Sequence, residues 1–323
     1  LRSGPKNILK WNFSIGWYFK SGNFFSKTSK EVMIFSSIRA TWHHFKYLPL
    51  LSAITFSRGR SFARRSQALG VSIGWVLRWY PPARRWFERE FLKIFPDMPR
   101  TQRLDICQRM GVHMGRTLFE IYHSTEFQAA SHKFHVSGEG LQTLEKAFVA
   151  GKGAIVVSGH FGQWEAVRAV LKKRGIETGA VYRRQANRHY QRRLLAGIQA
   201  TGNPIVSTGR AGTRALMRHL KAGRVIAIML DEKHPDGARL PFLGKDALTS
   251  LSAANLAIKY CIPMIPAFGT RIADGNEFDV EFEAEIPHSD SITMTQAFND
   301  SLSKRILENP DQWYWLLRRW GWR

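Results

Sequence analysis

A chain of 323 residues with 44% hydrophobic content, 21 Phe and 11 Trp can bury one sizeable core, which excludes bulk disorder. Its two cysteines, Cys107 and Cys261, exclude a disulfide framework and a paired-cysteine zinc motif, and fit a reducing, cytoplasmic-side location. The formal net charge of +23 points to an anionic partner: nucleic acid, lipid head groups or an acidic protein.

Residues 1–44 read as an N-terminal extension, disordered or a gene-model artefact; 1–32 are polar and aromatic without clear period, and Met33 is the expected natural start. No apolar run reaches the roughly 18 residues that a spanning helix wants; Tyr47 to Ser57 comes nearest. The secretory pattern of an apolar stretch and a small-residue cleavage site is missing. A tilted or weak span starting near Tyr47 stays open beside an interfacial placement.

Residues 45–130 read as a basic helical, membrane-associated region. Residues 1–100 hold 18 Lys or Arg against four acids, and thus +14 of the +23. The cations alternate with large apolar side chains, as in Trp75-Val76-Leu77-Arg78-Trp79-Tyr80 and Arg84-Arg85-Trp86-Phe87. That mixture suits a bilayer interface, where rings sit at head-group depth and Arg or Lys snorkel; a solvated basic face on core helices is the plainer alternative. Amphipathic helices over 44–95 break at Pro81-Pro82. After the linker Phe95 to Pro99, Thr101 is the expected N-cap of a helix to about Tyr122, with Cys107, Met110, Met114, Leu118 and Ile121 on one face.

From about residue 131 strands and helices alternate. Strands are expected at 153–158, 179–182, 204–206, 225–230 and 262–271, and helices at 163–174, 187–200, 211–221, 250–260 and 293–307. Residues 278–286 alternate and predict an edge or antiparallel strand. This order predicts an α/β core over 131–323, with a central, largely parallel sheet flanked by helices.

Reactive groups of open α/β sheets gather where strands end. His160 follows the strand 153–158 in Ser158-Gly159-His160-Phe161-Gly162-Gln163-Trp164-Glu165. The glycines permit a tight turn and close approach of another molecule. Glu165 would sit in the first helical turn and fold back on the imidazole, fixing its tautomer and leaving the other nitrogen as a base. The spacing alone decides nothing: 11 His and 25 acids give about one His-X4-acid pair by chance. The strand exit, the glycines and the helix start supply the context.

His160 to Glu165 resembles the His-X4-Asp/Glu motif of glycerolipid acyltransferases. It is most similar to the His-Phe-Gly-Asn-Trp-Glu form of the bacterial lipid A biosynthesis acyltransferases, the lauroyl and myristoyl transferases. Further matches are Val181-Tyr182-Arg183, Asp231 after its strand, Pro241-Phe242-Leu243-Gly244 followed by Thr249, and Pro310 to Trp320. Together they cover about residues 45–320. Gln163 in place of Asn, Glu232 after Asp231 and Leu317 in place of His depart from the pattern. The resemblance implies a glycerolipid acyltransferase-like fold, an acyl carrier protein thioester as donor, and a hydroxyl of a lipid A precursor as acceptor. It places the enzyme on the cytoplasmic face of the bacterial inner membrane, peripheral or with a single N-terminal anchor, in lipopolysaccharide biosynthesis.

On this reading His160 is the base and Glu165 its partner, with no acyl-enzyme, since no Gly-X-Ser-X-Gly elbow is present. Backbone amides at Phe161 and Gly162 are the expected oxyanion donors. Arg183, at a strand exit, is the expected phosphate ligand, with a surface salt bridge as the alternative. Asp231 anchors Arg183 or positions the loop. Phe242, Gly244 and Thr249 are acceptor-loop residues by resemblance. Arg318 and Arg319, among Trp313, Trp315 and Trp320, bind lipid phosphate or else close the core. No cofactor beyond the thioester co-substrate, no metal and no nucleic acid is expected; the partners are the carrier protein, anionic lipids and the lipid A precursor. An acyl-CoA-dependent lysophospholipid or glycolipid acyltransferase, and a non-catalytic basic membrane-binding protein, are the rivals.

Overall fold

The computed structural model describes residues 59–273, 275–317, 319 and 320. The expectations for 1–44 and for a span from Tyr47 lie outside them. Helix α1 (Phe62–Trp79) starts where the Ser61 side chain accepts from Arg64 N. The two prolines then open α2 (Pro81–Phe91), at positions whose missing N–H leaves no helical bond unmade. Helix α3 spans Arg100–Tyr122 and is entered from Pro99, so Thr101 lies inside the helix and caps nothing.

Helices α1 and α3 touch backbone to backbone. A Cβ on Gly111 would lie 2.7 Å from Gly74 Cα, and one on Gly115 would lie 2.9 Å from Gly70 Cα. Larger side chains at this seam must force the helices apart. Gly115→Leu is expected to destabilise by about 1–3 kcal/mol or more, read as a lowered midpoint in urea. An unchanged midpoint would show the seam to be slack. The opposite side of α1 carries Val71, Trp75 and Trp79 at helical spacing, each about half or more exposed. Among the described residues, no helix is long and apolar enough to cross a membrane.

After α4 (Ser124–Ala129) and a 3-10 turn (Ala130–Lys133), the α/β core follows. Its elements are β1 (Phe134–Ser137), α5 (Gly140–Val149), β2 (Ala154–Ser158), α6 (Glu165–Lys173), β3 (Thr178–Tyr182), α7 (Arg188–Thr201), β4 (Ile205–Ser207), α8 (Arg210–Lys221) and β5 (Val225–Met229). A hairpin β6 (Ala238–Phe242) and β7 (Lys245–Thr249), then α9 (Ser252–Tyr260), β8 (Met264–Ile272), β9 (Glu277–Phe282) and α10 (Ser291–Glu308) complete it. The main sheet runs β1-β9-β8-β2-β5-β3-β4. All pairings are parallel except β8 with β9.

Central strand β2 is buried throughout, so both its faces are covered. Ile155 and Val157 pack with Leu216 and Leu220 of α8, Ala254 of α9 and Leu302 of α10. Ala154 and Val156 pack with Leu144 of α5 and Val167 and Leu171 of α6. The N-terminal helices share the first of these cores: Phe91 of α2 lies edge-on to Trp315, 4.7 Å between ring centroids.

The expected strand at 278–286 is antiparallel to β8, but it is not an edge, because β1 lies outside it. Where the resemblance implies an acceptor loop around Phe242 and Gly244, the chain forms the hairpin β6–β7. Leu243 and Gly244, with φ of 51° and 71°, make the two-residue turn that suits tightly paired antiparallel strands.

Candidate active site

Strands β2 and β5 are parallel neighbours with Ser158 opposite Met229. Two residues beyond that pair, at the carboxyl edge of the sheet, His160 and Asp231 face each other. Gly159 makes room: a Cβ there would stand 2.6 Å from Leu302 Cδ2 and 3.2 Å from Asp231 Oδ2. Gly162 is required twice over, by its φ of 55° and by the carbonyl of Gly269, which a Cβ would meet at 2.1 Å.

Asp231 is fully buried and takes three hydrogen bonds. His160 Nδ1 lies 2.9 Å from Oδ1, while the His160 backbone N–H (2.6 Å) and Trp313 Nε1–H (2.9 Å) both donate to Oδ2. Burial by itself would raise the Asp231 pKa. The His160 charge and the donors from His160 and Trp313 outweigh it and hold the carboxyl below its ordinary value near 3.8. An ionised carboxylate only accepts, so Nδ1 carries the proton and Nε2 holds the lone pair. Burial by itself would lower the His160 pKa; the Asp231 charge and hydrogen bond, helped by Glu232, lift it above 6.5. The pair's contribution to folding is therefore complete below the unfolded imidazole's value and fades as pH rises through the lifted one. Asp231's share is present above about 3.8 and fades as pH falls through the depressed value.

Glu165 is not the partner of this imidazole. It is buried at the start of α6, where Arg168 Nη1 (2.8 Å) and Thr201 Oγ1 (2.5 Å) donate to its Oε2. Arg168 continues to the carbonyls of Thr178 (3.0 Å) and Gly202 (2.9 Å), tying α6 to β3 and α7. Residues 160–164 form a turn before the helix begins, so the four-residue gap carries no helical repeat and does not put the two side chains on one face.

The expected oxyanion donors are also engaged elsewhere. Phe161 N–H donates to Gly159 O at 2.7 Å, and Gly162 N–H to Gln312 O at 2.8 Å. Asp231 does not anchor Arg183; Glu232 does, at 2.6 Å, and Arg183 remains half exposed at the rim. Phe242 is a core residue against Trp313 (5.5 Å) and Trp320 (5.9 Å). Gly244 is the exposed turn of the hairpin, with nothing within 4 Å of a Cβ placed there. Thr249 is buried and accepts from Arg319 Nη2 at 2.5 Å. Arg319 is itself buried, donates to Leu248 O (2.8 Å), and sits over the Phe242 ring at 4.8 Å. Burial pushes its pKa down to about 10. It closes the core and is not available to a lipid phosphate. Arg318 lies outside the described residues.

The turn is braced by a buried polar network that motif reasoning missed. Arg271 of β8 grips Glu120 of α3 bidentately at 2.9 and 2.7 Å. Glu120 also accepts from Gln163 Nε2 (2.6 Å) and Ser66 Oγ (2.8 Å). Thr117 Oγ1 donates to Gly162 O at 3.0 Å, and the Gln312 side chain pairs with both backbone groups of Arg271. The signal available was an acid, Glu120, flanked in sequence by the large apolar side chains of Phe119 and Ile121.

A narrow cleft of about 10 Å³, room for a single water, lies between α3 and the C-terminal segment beside His160, lined by Met110, His113, Met114, Trp164, Gln312 and Tyr314. Burial, outweighing Asp311 at 3.9 Å, pushes His113 down to about 4, so it is neutral near pH 7. Around the same sheet edge the charge is one-sided. Residues 178–230 hold ten Lys or Arg and no acid. Because β3 and β4 are parallel to β2, the arginines of the β3–α7 loop and those opening α7 and α8 (Arg183, Arg184, Arg188, Arg192, Arg210 and Arg214) ring the edge where His160 stands.

Among curated proteins, the chain is 25% identical over 187 residues to a phosphatidylinositol mannoside acyltransferase of Mycobacterium tuberculosis, covering 56% of this chain and 58% of that protein. It is 24% identical over 192 residues to one of Mycolicibacterium smegmatis, covering 57% of this chain and 63% of that protein. The chain thus matches less than two thirds of the length of these relatives. The profile of the bacterial lipid A biosynthesis acyltransferases matches residues 39–321, nearly the whole length, and the chain belongs to that family.

Proposed function

We propose that this protein is an acyltransferase of the membrane surface that moves a fatty acyl chain from an acyl carrier protein thioester to a hydroxyl of a lipid A precursor. The observation that carries the reading is the His160–Asp231 pair at the ends of β2 and β5.

A lipid hydroxyl is a poor nucleophile at neutral pH, so a base must remove its proton as it attacks. His160 Nε2 takes that proton while the oxygen adds to the thioester carbonyl, and Asp231 offsets the imidazolium charge. The tetrahedral intermediate collapses with cleavage of the C–S bond, and the thiolate leaves with the proton returned from Nε2. Transfer is direct: Ser158, the nearest hydroxyl in sequence, is buried and donates to Ala267 O at 2.7 Å. The arginine-ringed sheet edge supports an anionic donor. The outward stripe of Val71, Trp75 and Trp79 on a basic helix supports attachment to an anionic cytoplasmic leaflet.

A second reading shares the chemistry but changes the substrates: acylation of a mannosylated phosphatidylinositol or another glycolipid, with acyl-CoA as donor. The names of the mycobacterial relatives favour its acceptor. Purified enzyme offered both donors against both acceptors tests the choice. Carrier thioester with Kdo–lipid A precursor should turn over fastest. Preference for CoA and the mannoside transfers the protein to the second reading. No turnover by the folded protein with any of these pairs would leave only a binding module, and full turnover in His160→Ala would displace His160 as the base.

A further inference from the structure

Segment 312–314 crosses the mouth of the His160 turn and is stitched to it by backbone. Gly162 N–H donates to Gln312 O (2.8 Å), Tyr314 N–H donates to His160 O (3.1 Å), and Phe161 and Trp313 form an antiparallel bridge. Trp313 between them is fully buried. Its ring is fixed by Trp315 at 4.8 Å, Phe242 at 5.5 Å and Trp320 at 5.8 Å, and its N–H is aimed at Asp231.

We propose that Trp313 is a positioning residue of the base: its indole N–H, with the His160 backbone N–H, occupies Asp231 Oδ2 and keeps Oδ1 turned to the imidazole. This rests on the assignment of His160 as base. Core packing alone asks only for the ring. A buried carboxylate with two fixed donors on one oxygen cannot rotate, and the remaining oxygen then aligns Nδ1 and, through it, the lone pair of Nε2. The donor also withdraws charge. Without it Asp231 is a stronger base and holds the imidazolium more tightly, so the neutral form needed for catalysis appears only at higher pH. The other charges that bear on the pair are Glu232 after β5, Arg183 after β3 and Arg319 in the C-terminal segment; His113 of α3 lines the cleft and is neutral near pH 7.

The test replaces Trp313 with Phe and, separately, with benzothienylalanine, which keeps the fused ring and lacks only the N–H. The acidic limb of kcat/KM is expected to move up by about half a pH unit, and kcat to fall about 10-fold. The imidazole of His160, followed by NMR without substrate, should titrate higher by the same amount. If the benzothienyl variant keeps the wild-type limb and titration, Trp313 is packing and the proposal fails, even where Trp313→Phe is slow. If His160→Ala retains wild-type turnover, the assignment of the base fails and takes the positioning role with it.

Discussion

Asp231→Asn is expected to lower kcat/KM by about 10²- to 10⁴-fold, while Glu165→Gln leaves turnover of the folded enzyme nearly intact. An amide at 231 keeps the shape but can donate to Nδ1. The imidazole then carries its proton on Nε2, where the lone pair is needed. What activity remains should have its acidic limb at lower pH, because the charge that lifted the imidazole is gone and burial, which lowers it, is left. Glu165→Gln acts on a different quantity. It leaves Arg168, buried among carbonyls, without its carboxylate, and should cost about 3 kcal/mol of stability. Thermal melting and turnover well below the melting point separate the two. Full stability with abolished turnover in Glu165→Gln would return the role of partner to Glu165.

Glu120→Ala is the second variant with a large expected effect, this time on folding. It strands the Arg271 guanidinium, whose side chain is 1% exposed, and removes the acceptor of Gln163 and Ser66. Breaking a buried ion pair from one side costs about 3–5 kcal/mol, a large share of the roughly 5–15 kcal/mol that a domain has. Replacing both partners, Glu120→Leu with Arg271→Met, should restore most of the urea midpoint. Turnover should stay low, because Gln163 beside the His160 turn still lacks its partner. Recovery of both together would show that the network serves stability alone.

These outcomes also separate what the chain made legible from what it did not. The parallel sheet was readable because β2 and β5 are continuous apolar runs, and His160 because it stands at the exit of one of them. Strand β1 escaped because only Phe134 of its four residues is buried, and the hairpin because Pro241 reads as a breaker. The partner of His160 was misassigned for a more general reason. Sequence distance is visible and strand register is not; 71 residues separate His160 from Asp231, and only the β2–β5 pairing brings them together. Arg319 looked like an interfacial cation, and only packing reveals that its guanidinium is spent on Leu248 and Thr249.

The stitching of residues 312–314 across the turn has a consequence for when the protein becomes an enzyme. A nascent chain can pair β2 with β5 and β8 as soon as residue 272 has left the ribosome. Its carboxylate stays half-held until Trp313 emerges, some forty residues later. On the proposed mechanism, transfer reaches its full rate only once this segment has docked, and a premature stop before Gln312 removes Trp313, Trp315 and Trp320 from the core together with the donor to Asp231. Ribosomal complexes stalled before Trp313 emerges, slower in turnover than the released chain, would display it.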